Sequence, residues 1–234
     1  MHLFYDPTLK KGSINHILNE EESKHACKVM RLKEGDKLKI LNGCGIEFTA
    51  EITEAHPKHC SILILNENIE PSPRDEIHIA IAPTKMMDRL EWFLEKATEI
   101  GITEISLILC SNSERKIVKM ERLEKILIAA MKQSKRLFLP KLNNLISFKE
   151  FTSSHPNGLI AHCYDEQKST ISGSFKPTKC PIIIGPEGDF STEEVELAKL
   201  NSYTTITLGT NRLRTETAAL YSVMQSKMII ENLL

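Results

Sequence analysis

Residues 181–191, PIIIGPEGDFS, put a short apolar run directly before two glycines, a proline and two acids, with Ser191 three positions ahead of Glu194. Ser191 with Glu194 reads as a capping box, so a helix begins there, and PIIIG reads as a buried strand. GPEGDF is then a strand-to-helix loop. In open α/β sheets ligands bind outside the carboxyl ends of the strands, and Gly185 and Gly188 let backbone approach a ligand closely. A plain tight turn is the competing reading of these residues taken alone. Neither G-x-G-x-x-G nor G-x-x-x-x-G-K-[ST] occurs in the chain, so dinucleotide and P-loop nucleotide binding lose their usual support.

The same grammar recurs on both sides of this stretch. Downstream, TITLGTNRLRTETAAL (205–220) runs strand, Gly209, polar loop and then a terminal helix expected over about 216–233. Arg214 sits where the helix dipole favours an anion by about 0.3–1 kcal/mol, while Thr215 or Thr217 can cap and Glu216 suits the dipole. Upstream, IHIAIAP, ISLILCS and LIAHCYD alternate with helical stretches, the pattern of a mostly parallel sheet flanked by helices. In DRLEWFLEKATEIGI (88–102), Asp88 is expected to cap with Glu91 as its box partner. Leu90, Phe93, Leu94 and Ala97 form the inward stripe and Gly101 ends the helix. Trp92 falls off the stripe and is expected to pack against a neighbouring element. Residues 36–70 alternate instead with a period of two around the turn GCG, which predicts a small antiparallel β unit, and EPSPRD (70–75) reads as the linker between the two regimes.

Composition is that of a globular chain: 234 residues, 41% hydrophobic, 26% charged, net charge −1. No apolar stretch reaches the roughly 20 residues of a membrane span, and MHLFYDPTLKKG lacks the h-region of a secretory signal, so the expected location is the cytoplasm. Six scattered cysteines without a C-x-x-C pair argue against zinc and against disulfides, and predict mostly buried thiols. His56, His59 and Cys60 read as a hairpin loop rather than a metal site, and His162 as a satisfied core residue. The charge is uneven. Between Glu114 and Lys141 nine Lys or Arg stand against three acids, a local +6. Its bland reading is a solvated face of a helix whose inward stripe is Leu123, Ile126, Leu127, Ala130, Met131 and Ser134.

Taken together, IGPEGDFS and LGTNRLRTETAAL resemble the signature loops of the RsmE-type RNA methyltransferases of the SPOUT superfamily. HACKVMRLKEGD (25–36), TKMMDRLEWFLEKATEIGI (84–102) and AAMKQSKRLFLPKL (129–142) are similar to three further segments of that family, so the resemblance spans nearly the whole chain. It departs from the family pattern at Asp189, where many relatives carry glycine, and at Lys132, where many carry glutamate.

The resemblance implies a small N-terminal PUA-like β-barrel that binds RNA (1–71) and a C-terminal α/β methyltransferase domain (72–234). In the latter, a parallel sheet with flanking helices is tied in a trefoil knot. It further implies a homodimer, S-adenosylmethionine as cofactor, and as substrate N3 of a uridine in 16S ribosomal RNA within the small ribosomal subunit. Gly185, Gly188, Leu208, Gly209, Leu213 and Thr215 would bind the cofactor. Glu187 would either hydrogen-bond its ribose or amine or merely cap the turn. Arg214 is the candidate for stabilising negative charge on the base or holding its phosphate, and Glu216 the candidate general base. Arg31, Lys85, Lys132 and Arg136 would contact RNA. Two other readings stay open: a related enzyme acting on another nucleotide or on transfer RNA, and a non-catalytic RNA-binding protein. The intact GPEG and RTET loops argue against the second.

Overall fold

The computed structural model describes residues 2–178 and 180–232. They divide into two compact units. One comprises the residues up to Ser72 together with Met131–Leu139, the other Pro73–Ala130 together with the residues from Pro140 on. A division at residues 71 and 72 does not anticipate the return of Met131–Leu139 to the first unit.

The first unit is built on a five-stranded sheet. Strand β1 (Leu3–Tyr5) runs parallel to β3 (Lys37–Leu41), followed by antiparallel β4 (Ile46–Glu54), β5 (Ser61–Ile69) and β2 (Asn15–Ile17). The period-two pattern is visible in β4, where Ile46, Phe48, Ala50 and Ile52 turn inward onto Phe4, Leu18, Leu38, Ile40 and Ile62. Helix α1 (Glu20–Lys24) continues into a π-helical turn at His25–Val29. The β3–β4 turn explains why Met131–Leu139 belongs here. Gly45 donates to the Leu137 carbonyl at 2.9 Å, Leu139 donates to the Gly43 carbonyl at 2.9 Å, and Met131 and Leu137 are buried with Leu41. Gly45 has φ 92°, and a Cβ there would stand 2.4 Å from the Phe138 ring, so glycine is required by backbone and packing together.

The second unit is a seven-stranded, all-parallel sheet in the order β10 (Ser169–Thr170), β12 (Thr204–Thr207), β9 (Leu159–Ala161), β11 (Ile182–Ile184), β6 (His78–Ile81), β7 (Glu104–Leu109), β8 (Lys141–Ser147). Buried strands covered on both faces read as continuous apolar runs, as in Ile182–Ile184 and His78–Ile81. On one face Ala80, Ile108, Ile160 and Ile183 pack under α4 (Phe148–Ser154) and, beyond the short α5 (Ile171–Ser174) in the chain, α6 (Thr192–Leu200). By alternation Ile79, Ile81, Ile182 and Ile184 take the other face, and there α7 (Thr215–Ile230) contacts β6, β11 and α2 (Met87–Ile100).

The helix signals divide. Ser191 caps α6 with both halves of the box in place, and Gly101 ends α2 in the left-handed conformation, φ 111°. Asp88 does not cap α2: the N-cap lies two residues earlier at Met86, which makes no side-chain cap, and the Glu91 carboxylate accepts instead from Arg122 at 2.9 Å. Trp92 is not packed but 43% exposed. In α3 (Met120–Ser134), Leu123, Leu127, Ala130 and Met131 are buried as the stripe requires. Arg214 is the N-cap of α7 and Thr215 its first residue; the helix ends at Ile230, with Glu231 as its C-cap, short of the expected 233, which lies outside the described residues.

Candidate functional site

Because β9, β11 and β12 are parallel neighbours, their carboxyl ends open on the same edge of the sheet. The segments that follow them enclose a cleft of about 640 Å³, within the size range of small-molecule sites. Its floor is the strand ends Ala161, Ile184 and Ile206. One wall is the loop after β11, another the loop 208–214 with the first turn of α7, and the third the segment after β9.

Of the residues expected to hold a ligand, Gly185, Glu187, Leu208, Gly209, Leu213, Arg214 and Thr215 line this cleft. Gly209 has φ 116° and nothing within 4 Å of where a Cβ would stand, so it supplies both a left-handed turn and open backbone. Gly185 is close to its own loop, since a Cβ there would meet the Phe190 ring at 2.9 Å. Thr215 does not cap α7. Its hydroxyl donates to the Gly185 carbonyl at 3.1 Å, tying two walls together. Glu187 spends one carboxylate oxygen on the Lys85 backbone N–H at 3.0 Å, which is the turn-capping alternative.

Two expected residues are not in the lining. Gly188 faces Asn112, whose Cβ is 3.1 Å from where a Gly188 Cβ would stand. Glu216 is 7% exposed; its Oε1 lies 3.7 Å from Arg89 Nε and its Oε2 is buried with no hydrogen-bond partner among the described residues. That placement turns Glu216 toward α2 and away from the cleft.

The cleft also contains residues that the sequence reading did not assign to a site. His162, Cys163 and Lys168 follow β9, and Arg212 and Asp189 stand in the other two walls. An apolar run followed at once by polar residues is the signal shared by all three strand ends, and LIAHCYD carries it. His162 lies one residue past β9. Its ring is buried, with Nε2 3.1 Å from Glu166 and Nδ1 unpartnered among the described residues, so it is not the satisfied core residue expected. Burial, aided by Lys168, lowers its pKa against the opposing pull of Glu166.

The expected RNA-contact residues are dispersed. Arg31 is exposed with φ 57°. Lys85 is exposed and ion-paired with Glu114 at 2.8 Å. Lys132 is not presented to solvent as a cation for phosphate: its ammonium binds the Glu22 carboxylate at 2.9 Å and sits over the Phe4 ring, with the side chain 21% exposed. Glu22 is fixed in turn by the Tyr5 N–H at 2.9 Å. The basic run 114–141 is similarly spent in part, Arg122 on Glu91, Lys141 on Glu104, and Arg115 on the Thr84 and Lys85 carbonyls. Arg136 is half-buried. Cys44 and Cys163 are exposed, whereas Cys60, Cys110 and Cys180 are buried. Among the described residues no group of three or more His, Cys, Asp or Glu could hold a metal ion, and no helix is long and apolar enough to cross a membrane.

Comparison with known proteins adds a second line. The RNA methyltransferase domain family matches residues 70–226, and the RNA methyltransferase PUA domain family matches residues 18–65. The chain is 29% identical over 233 residues to a ribosomal RNA small subunit methyltransferase E of Rickettsia conorii, covering 97% of this chain and 95% of that one. Among solved structures it resembles a probable rRNA-methyltransferase of Porphyromonas gingivalis (36% identity, TM-score 0.89, all of both chains). It also resembles a ribosomal RNA small subunit methyltransferase E of Neisseria gonorrhoeae bound to S-adenosyl methionine (26% identity, TM-score 0.82, 97% of both chains).

Proposed function

This chain belongs to the RNA methyltransferase family, and from that premise we propose that it methylates N3 of a uridine in small-subunit (16S) ribosomal RNA with S-adenosylmethionine as donor, acting in the cytoplasm. The observation that carries the reading is the cleft at three parallel strand ends, with GPEGDF and LGTNRLR as two of its walls. Its residues fit a nucleoside-containing cofactor. Open backbone at Gly209 admits close approach, and Leu208, Leu213, Ala161 and Ile184 supply apolar surface for a base. When bound, S-adenosylmethionine supplies an activated methyl group on a positively charged sulfur, and the protein's share of the work is alignment at near-attack distance.

The uracil N3 proton must leave, and negative charge then spreads over the base. Arg214 lines the cleft, is exposed, and spends no side-chain hydrogen bond on its own helix. We assign it to stabilising that charge, with Arg212 beside it in the same wall. Glu216 does not take the base role, because its carboxylate is turned to Arg89. The lining carboxylates Glu187 and Asp189 are engaged with backbone N–H groups, so the proton is assigned to solvent rather than to a side chain.

Binding of the RNA is assigned to cations of each unit, with exposed Arg31 and half-buried Arg136 in the first and exposed Lys85 in the second, and the assembled small subunit is its proposed context. A homodimer is supported by the outward side of α7, where Tyr221, Met224 and Met228 are exposed three and four residues apart as an apolar stripe. The trefoil knot is supported by the path of the chain: α7 follows β12 yet packs against β6 and β11, farther along the sheet. Nucleoside mass spectrometry of small-subunit RNA from cells with and without the gene tests the reading. Loss of 3-methyluridine on deletion is expected, and an unchanged nucleoside profile contradicts it.

A further inference from the structure

Asp189 stands at φ 65°, a left-handed conformation that favours glycine and tolerates aspartate better than most residues. Its carboxylate is fully committed. Oδ2 accepts the Cys163 N–H at 2.8 Å, and Oδ1 accepts the Phe190 N–H at 2.9 Å. The Asp189 backbone is held as well, its N–H by the Pro186 carbonyl at 2.9 Å and its carbonyl by the Asn112 amide at 3.1 Å. One side chain therefore closes its own turn and reaches the segment after β9. A second bond joins the same two segments, from the Tyr164 hydroxyl to the Phe190 carbonyl at 2.7 Å. On the β9 side, Lys168 steadies that segment by donating to the His162 and Tyr164 carbonyls. Cys163 and Asp189 both line the cleft.

We propose that Asp189 is a positioning residue of the cofactor cleft, its carboxylate clamping the segment after β9 to the loop after β11 so that two of the three walls are held before the cofactor arrives. The inference rests on the reading of this cleft as the S-adenosylmethionine site. Hydrogen bonds to an ionised acceptor are the stronger kind, and a preformed wall lowers the ordering cost of binding. Glycine would relieve the backbone but remove both carboxylate bonds. Asp189 therefore exchanges backbone ease for a clamp that glycine cannot make.

Asp189→Gly and Asp189→Asn test this. The glycine variant keeps the backbone bond from residue 189 to the Pro186 carbonyl and loses both carboxylate bonds. The asparagine variant keeps a carbonyl acceptor and tolerates the same φ. In cofactor-free protein, amide hydrogen exchange at Cys163 should quicken at least about tenfold in Asp189→Gly, with little change in melting temperature. By calorimetry, S-adenosylmethionine affinity should fall about tenfold, with KM raised and kcat at saturation retained, and Asp189→Asn should recover part of both losses. Faster exchange without loss of affinity, or no change in either, overturns the proposal. Failure of the wild type to bind S-adenosylmethionine would instead sink the reading of the cleft, and the exchange measurement would still decide whether the clamp exists.

Discussion

The hydroxyl of Thr215 donates to the carbonyl of Gly185 at 3.1 Å, so the first residue of α7 is fastened to the residue that follows β11. Both groups are buried. Thr215→Val keeps the volume and withdraws the donor, leaving a buried carbonyl short of a partner at a cost of about 1–3 kcal/mol. Two walls of the cleft then lose their tie, and S-adenosylmethionine affinity should fall about tenfold by calorimetry. Wild-type affinity in the folded variant would show that the walls hold their places without this bond.

Gly209 and Gly188 should part company. Gly209 needs its left-handed φ of 116°, and a methyl there meets nothing, so Gly209→Ala acts through backbone strain of about 1–2 kcal/mol in the cleft wall. Gly188 meets only Asn112 of an exposed loop, which can yield by a few tenths of an ångström. The expected result is about tenfold weaker cofactor binding for Gly209→Ala and a change within about twofold for Gly188→Ala. Equal effects would return Gly188 to the cleft.

These two glycines mark what a sequence can and cannot disclose. The strand-loop-helix pattern and the Ser191–Glu194 box are local, set by residues within one turn of each other, and they appear where expected. So does the left-handed stop at Gly101. What Gly188 approaches is decided by the loop after β7, 76 residues earlier in the chain. Lys132 meets Glu22 across 110 residues, and Met131–Leu139 joins the first unit through the Gly43 and Gly45 backbone, pairings that no periodicity encodes. Asp88 shows the local limit. Asp88 and Glu91 offer a capping box on paper, but α2 begins two residues sooner and Glu91 is taken by Arg122.

Among the basic residues, Arg31 and Lys132 are expected to behave differently. Arg31→Ala should weaken RNA binding and flatten its salt dependence by up to about 0.9 in log–log slope, on the B-DNA scale for one phosphate contact. Lys132→Ala should leave that slope unchanged and lower stability by about 2 kcal/mol, since Glu22 loses its cation in a pair that is largely but not wholly buried. A flattened slope for Lys132→Ala would place it on the RNA after all.

Acid should destabilise the second unit through His78 in β6. Burial pushes this imidazole from 6.5 down to about 4 against the pull of Glu104, with His155 and Lys141 adding to the depression, and its Nε2 lies 2.8 Å from Ser106 Oγ. The unfolded chain takes up the proton near 6.5, whereas the folded chain resists until about 4. Stability from this group is therefore complete above about pH 6.5 and declines as pH falls through that window, by about 3 kcal/mol at most. Urea unfolding should show a flatter pH dependence in His78→Gln than in wild type. Parallel curves would remove His78 as the cause.

The most direct test of the account is methyl transfer by the purified protein from S-adenosylmethionine to small subunits lacking the modification, read by mass spectrometry of the released nucleosides. The account predicts 3-methyluridine as the product, and an Arg214→Ala variant that binds S-adenosylmethionine normally but turns over about 10²–10³-fold more slowly. A methyl group found on another atom or another RNA, or an Arg214→Ala variant as fast as wild type, would contradict it.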